Sequence, residues 1–179
     1  MDMTSDTQRW RMCQYVVAAG AVLFLAGMIG IQTNGGLGEA QWPASTADFN
    51  AYVGANLDDV RAANLADMVL FVPGYLLLAL GVAQWISVLP GGQARVGSLA
   101  KVAFVLVAVA AVTDTIENVV LRMGANDLPA SGDLVSTMKA FGVVKYVTFA
   151  AGFALLFGVA VWRWRRHRGA GPLGPPEGA

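Results

Sequence analysis

Asp114, Glu117 and Asn118 stand in the stretch "TDTIENVVL" (residues 113–121), directly after the apolar run "KVAFVLVAVAAV". Asp114 and Glu117 are three residues apart and Asp114 and Asn118 four apart, so on a helix all three share one face. Two carboxylates and an amide arranged in this way can serve as acid and base, or carry a proton, when a cation stands beside them. Lys145 supplies a cation and Asp67 a third carboxylate, each within a different apolar stretch. Tyr75 falls on roughly the same helical side as Asp67. One lysine cannot neutralise three carboxylates, so at least one of them is expected to carry a proton or to be solvated.

Positioning such a set requires membrane helices. The chain has 179 residues, 56% hydrophobic and only 13% charged, with mean hydropathy +0.55. A soluble domain usually carries about a quarter charged residues. The apolar excess is concentrated in four blocks, each near the roughly 20 residues that cross a hydrocarbon core. The expected spans are about 13–32, 65–89, 99–121 and 140–162, the third long enough only if it includes Asp114 to Asn118. The class that follows is an all-α membrane protein, a four-transmembrane-helix bundle forming a single domain over residues 1–165. The Pro90-Gly91-Gly92 turn should end the second span, and Pro129 to Gly132 should separate the third from the fourth. The Pro/Gly-rich tail over 166–179 is expected to be disordered.

Between the first two spans, Phe49, Val53, Leu57 and Val60 recur at helical spacing after a capping box at Ser45 and Asp48. They predict one amphipathic helix on the outer interface. Pro73-Gly74 should kink the second span below Asp67. Ala150, Ala154 and Gly158, and Ala26 with Gly30, offer faces for close helix contact. Phe141, Lys145, Phe149, Phe153 and Phe157 repeat every four residues, a row that suits packing or lipid contact, or else lines a groove for a lipid tail.

Lysine and arginine set the direction. With the amino terminus inside, the inner segments hold Arg9, Arg11, Arg95, Lys101, Arg163, Arg165, Arg166 and Arg168, against Arg61, Arg122 and Lys139 outside. Trp10, Trp85, Trp162 and Trp164 then fall at the inner boundary as an aromatic belt. The expectation is a multi-pass protein of the cell membrane with both termini cytoplasmic. A cleaved signal peptide is the competing reading of the first span, but its apolar core from Val16 to Ile31 is long for one and no A-x-A site follows.

In this orientation Asp67, Asp114, Glu117 and Lys145 all fall in the outer third of the membrane, from three separate spans. Asp114 lies about 22 Å and Glu117 about 27 Å above Leu99 at 1.5 Å per residue. Facing lipid would cost such a charge up to about 2.5–3.5 kcal/mol at mid-bilayer, so the face should turn inward to Lys145. Three outcomes stay open: a binding pocket, structural contacts between helices, or a solvated edge at the head groups. The carboxylate surplus favours the pocket.

Other chemistries find no residues. Zero formal charge argues against a nucleic-acid partner. Cys13 is the sole cysteine and His167 the sole histidine, which leaves disulfides, CxxC motifs, bis-His haem ligation and a Ser-His-Asp triad without partners. Phosphate loops, GxSxG and N-x-S/T sequons are missing. Neither cofactor nor metal is expected.

The combination of "ADMVLFVPGY", "TDTIENVVL" and a lone lysine in the fourth span resembles a group of small bacterial four-helix integral membrane proteins with a D-x-x-E-N motif in the third span. The resemblance covers about residues 10–165. It implies the four-helix fold and marks Asp67, Asp114, Glu117, Asn118 and Lys145, and brings no activity with it. The Ala/Gly/Val-rich spans and Pro/Gly tail give the compositional impression of a high-GC bacterium. Four functions follow from the residues. The first is an outer-leaflet pocket for a lipid or small amphiphile, built on Asp67, Tyr75, Asp114, Glu117, Asn118 and Lys145. The others are a proton-coupled transporter acting as a homo-oligomer, a membrane enzyme using the carboxylate pair by analogy with four-helix sterol-isomerase-like bundles, and a scaffold subunit of a larger complex.

Overall fold

The structure of the chain, a computed structural model, describes residues 3–88 and 94–169. The expected turn at Pro90-Gly91-Gly92 and almost all of the Pro/Gly-rich tail lie outside the described residues. Four helices are long and apolar enough to cross a membrane, and no strand occurs among the described residues. The fold is an all-α four-helix bundle.

The first spanning helix is α1 (Met3–Thr33). Two glycines at its end, Gly35 and Gly36, take positive φ of 80° and 77° and turn the chain, which Cβ-bearing residues do at a cost. Three short helices follow: α2 (Gly38–Gln41), α3 (Thr46–Ala55) and α4 (Leu57–Ala66). A π-helical turn, Asp67–Phe71, joins α4 to α5 (Val72–Val88). The bundle is completed by α6 (Ala94–Asn126) and α7 (Gly132–Gly169). At 33 and 38 residues these two are about 50 Å or more in length, well beyond a hydrocarbon core of roughly 30 Å.

The single amphipathic helix expected from Phe49 to Val60 is two helices. Asn56 interrupts it, its Nδ2 donating back to Tyr52 O at 2.9 Å, the local side-chain bond by which Asn competes with helix propagation. Phe49 and Val53 therefore belong to α3, whereas Leu57 and Val60 open the helix that becomes the second span. The Ser45 cap forms as expected, accepting from Asp48 N at 3.1 Å. The reciprocal half differs, since the Ser45 hydroxyl donates to Asp48 Oδ2 at 2.7 Å.

These short helices form a cap over one end of the bundle. Asn50 fastens α3 to the α6–α7 loop by a pair of bonds with Ala130, Nδ2 to O at 3.3 Å and Oδ1 from N at 2.8 Å. Lys139 Nζ donates to Pro43 O at 3.0 Å, and Arg61 Nη2 to Asn126 Oδ1 at 2.7 Å. Beneath them a buried apolar layer gathers Leu37, Phe49, Val53, Val60, Leu121 and Met138. A second apolar layer, with Ala79, Ile86, Ala100, Ala103, Val107 and Leu156, fills the other half.

Helix α5 is the hub, packing on α1, α6 and α7, while α6 and α7 pair along their length. The α1–α5 seam is closed by glycine. A Cβ added at Gly27 would lie 2.5 Å from Phe71 N, and one at Gly74 would run into the Phe24 backbone. The α6–α7 seam uses Gly152, whose added Cβ would lie 2.7 Å from Val107 Cγ2. The Ala150, Ala154 and Gly158 face makes no such seam: all three are exposed, and Gly158 has nothing within 4 Å of an added Cβ.

Trp10 and Trp85 meet with ring centroids 6.0 Å apart, and Arg163 Nη2 donates to Ile86 O at 3.3 Å. The start of α1 and the end of α7 thus lie at one end of the bundle, opposite the cap.

Candidate functional site

Between the two apolar layers lies a polar one. Helix α6 passes from Ala111 in one layer to Leu121 in the other, and Asp114, Glu117 and Asn118 occupy the interval. Lys145 reaches the same level from α7, Tyr75 from α5, and Asp67 from the first residue of the π-turn. All six residues expected from the sequence converge, together with Asn64 of α4, and each is at most 6% exposed.

Local sequence explains how Asp67 arrives there. Pro73 has no N–H to donate, and its ring would strike the carbonyl four residues earlier in a regular helix. Instead of a bare proline kink, the chain inserts a π-turn, with Val72 N–H bonded to Asp67 O five residues back. Such turns re-aim side chains within a continuous helix.

Lys145 Nζ stands 3.1 Å from Asp114 Oδ1 and 2.7 Å from Glu117 Oε2. The first contact is a well-directed hydrogen bond. The second is the closer ion pair but lies off hydrogen-bond angles, and at 2.7 Å its attraction is real whatever the angle. Tyr75 OH donates to Asp114 Oδ2 at 3.2 Å. Asn118 links the rest. Its Nδ2 donates to Asp67 Oδ2 at 2.9 Å and to Asp114 Oδ1 at 3.1 Å, and its Oδ1 accepts from Asn64 Nδ2 at 2.8 Å. Carboxylates on one side require donors, so the orientation of the Asn118 amide follows from its neighbours.

Asn64 escaped the sequence reading. Its signal was the N-x-x-D spacing to Asp67, which puts both on one face of the entering helix. The Phe row behaves as packing. Phe149 lies edge-on to Tyr75 at 5.2 Å and 4.6 Å from Phe153, whereas Phe157 points outward at 73% exposure. A solvated edge is likewise ruled out, because Glu117 and Asn118 have no exposed surface.

Two features set what the site can do. Asp67 Oδ1, Glu117 Oε1 and Asn64 Oδ1 are buried acceptors with no hydrogen-bond partner among the described residues. Three carboxylates face one ammonium, so the acceptors of the layer outnumber the donors and charge that satisfy them. Yet no metal-binding group of three exists among the described residues, since Lys145 stands between Asp114 and Glu117 and Asn118 between Asp67 and Asp114. The site is also closed. An added Cβ at Gly142 would lie 3.4 Å from Glu117 Oε1 and 3.1 Å from Trp42 Cζ2, so the indole and the glutamate both adjoin α7 at this glycine. No protein-family model, curated protein or solved structure matches this chain.

Proposed function

We propose that this multi-pass membrane protein binds the head group of a small amphiphile or lipid in its buried acid–base layer. The head group is one that donates hydrogen bonds or carries positive charge. The observation behind this reading is the pair of unpartnered carboxylate oxygens, Asp67 Oδ1 and Glu117 Oε1, in a layer whose single lysine is already held by two carboxylates. A buried acceptor without a donor costs free energy, and an amine or hydroxyl head group would recover it. An anionic head group fits poorly, because Lys145 is engaged. The closed site requires the cap to shift for entry, and the Gly35–Gly36 turn before α2 is the natural place for it to bend.

The test uses the protein in neutral lipid nanodiscs, with dodecylamine, dodecanol and dodecanoate as probes sharing one chain length. Dodecylamine should raise the unfolding temperature most and dodecanoate least. Asp67→Asn, which leaves the lysine pairs untouched, should reduce the preference. Equal effects of amine and carboxylate, or no effect of any probe, would overturn the reading.

A proton-coupled transporter is the second reading, with protons filling the same acceptors. It is supported by the closed state of the layer. Against it stands the apolar layer below Tyr75, where the buried titratable groups among the described residues are Cys13 and Arg163, with no carboxylate to relay a proton. Proton flux in liposomes that persists unchanged in Asp114→Asn would remove it. By the positive-inside rule we place the end carrying Arg9, Lys101, Arg165 and Arg166 in the cytoplasm of a bacterial cell. Reporter fusions active on the other side would reverse that orientation.

A further inference from the structure

A cavity of about 670 Å³ opens at the end opposite the cap, where α1 and α6 flank α5 without packing along each other. Its volume lies in the ordinary range for ligand sites. Three helices grade it in the same sense. On α1, Arg9 lies at the mouth and Cys13 one turn deeper; on α6, Lys101 lies at the mouth and Phe104 one turn deeper; on α5, running the other way, Ser87 lies at the mouth and Leu80 two turns deeper. Polar and cationic groups therefore ring one end of a cavity whose floor is apolar. Arg9 and Lys101 are exposed, and neither has an acidic partner among the described residues.

We infer that this groove is a binding site for an anionic phospholipid, with the phosphate between Arg9 and Lys101 and an acyl chain over Cys13, Leu80 and Phe104. Charge complementarity selects the occupant: basic pockets between membrane helices attract anionic head groups, and the graded lining matches a molecule charged at one end only. A second cavity near the same end, between Val96 and Leu99 of α6 and Leu155 and Trp162 of α7, has an apolar lining without a cation and lacks this selection. The site is separate from the acid–base layer, and its test does not depend on the function proposed for that layer.

Cys13 makes the groove directly measurable. It is the sole cysteine of the chain, is only 5% exposed, and forms part of the cavity wall. The full chain is placed in nanodiscs of dioleoyl phosphatidylcholine in which dioleoyl phosphatidylglycerol replaces an increasing fraction, and alkylation of Cys13 by N-ethylmaleimide is timed. Alkylation should slow as phosphatidylglycerol rises, although the chains of the two lipids are identical. The double variant Arg9→Gln/Lys101→Gln should weaken phosphatidylglycerol protection roughly tenfold or more, since each cation near the head group contributes several-fold. Arg11→Gln, which removes a neighbouring charge that does not line the cavity, should leave protection intact. Inorganic phosphate added to pure phosphatidylcholine discs should not protect. Equal protection by both lipids, protection surviving in the double variant, or protection by phosphate alone would overturn the assignment. So would protection that follows protein concentration, as a second copy seated in the groove would give. Unfolding temperature of the double variant, compared with the parent in phosphatidylcholine, confirms that the altered protein is folded.

Discussion

At the capped end of the bundle, Asp67, Asp114, Glu117 and Lys145 are buried at 0–6% exposure, Asp67 and Asp114 further held by Asn118 and Tyr75. At the opposite end, Arg9, Lys101, Arg165 and Arg166 lie at the surface, Arg163 is buried with its Nη2 on Ile86 O, and the interior beside it is alanine, valine, isoleucine and leucine. The same low-dielectric environment is met in two ways. A long cationic side chain can carry its charge out to the membrane surface along its own methylenes. Asp and Glu are too short for that, so a carboxylate within a span must find its partners where it stands. Partners have to come from other helices, and this accounts for the polar layer occurring only where α4, the π-turn, α5, α6 and α7 all meet.

The largest effect should come from removing the shared cation. Lys145→Met leaves Asp114 and Glu117 buried without a counter-ion, and breaking a buried pair from one side costs about 3–5 kcal/mol. Lys101→Met, at the other end, should change stability by no more than about 0.5 kcal/mol. Thermal unfolding in one detergent compares the two. The triple variant Lys145→Met/Asp114→Asn/Glu117→Gln should recover a large part of the loss, because no uncompensated charge remains. Similar, small losses for Lys145→Met and Lys101→Met would break the comparison outright.

A smaller loss tests whether the layer is a network or a set of independent pairs. Asn118→Leu removes both donors that Asp67 and Asp114 share and the acceptor of Asn64, at a cost of about 2–3 kcal/mol. Combined with Asn64→Ala in a double-mutant cycle, it should show a coupling of about 1 kcal/mol. Simple additivity would mean that Asn64 is a bystander.

Much of this arrangement was legible from spacing alone. Asp114, Glu117 and Asn118 announce their shared face by i,i+3 and i,i+4 separation, and span counting puts Asp67 and Lys145 at the same level. The boundary residues were harder. Pro73 signals a disturbed helix, but a kink and a π-turn relieve the same steric conflict, and only the surrounding packing selects between them. Asn56 splits the cap helix through a bond to Tyr52 O, a choice that sequence periodicity cannot register because Phe49, Val53, Leu57 and Val60 keep their spacing across the break. Of the two expected close-contact faces, Gly30 does sit at one, its added Cβ 2.8 Å from Ala66 Cβ, while the face on α7 was misplaced for a related reason. A small residue permits close approach but does not compel it, so Ala150, Ala154 and Gly158 read as well as Gly27, Gly74 and Gly152 until the partner helix is placed.

That last distinction gives the smallest of the expected effects and extends the comparison from charge to packing. At Gly27 an added methyl would press on Phe71 N, a backbone atom that carries the π-turn and cannot swing aside as a side-chain tip can. Gly27→Ala should therefore push α1 off α5 and cost about 1–3 kcal/mol. At Gly158 the added methyl meets open space on the outer face of α7, and the helix gains from losing a flexible residue. Gly158→Ala should be neutral or stabilising by up to about 1 kcal/mol. Unfolding temperatures that move in opposite directions for these two single-methyl additions would locate the tight seam between α1 and α5. If Gly158→Ala were the more damaging, the exposed face of α7 would have to be a packed surface, occupied by another helix.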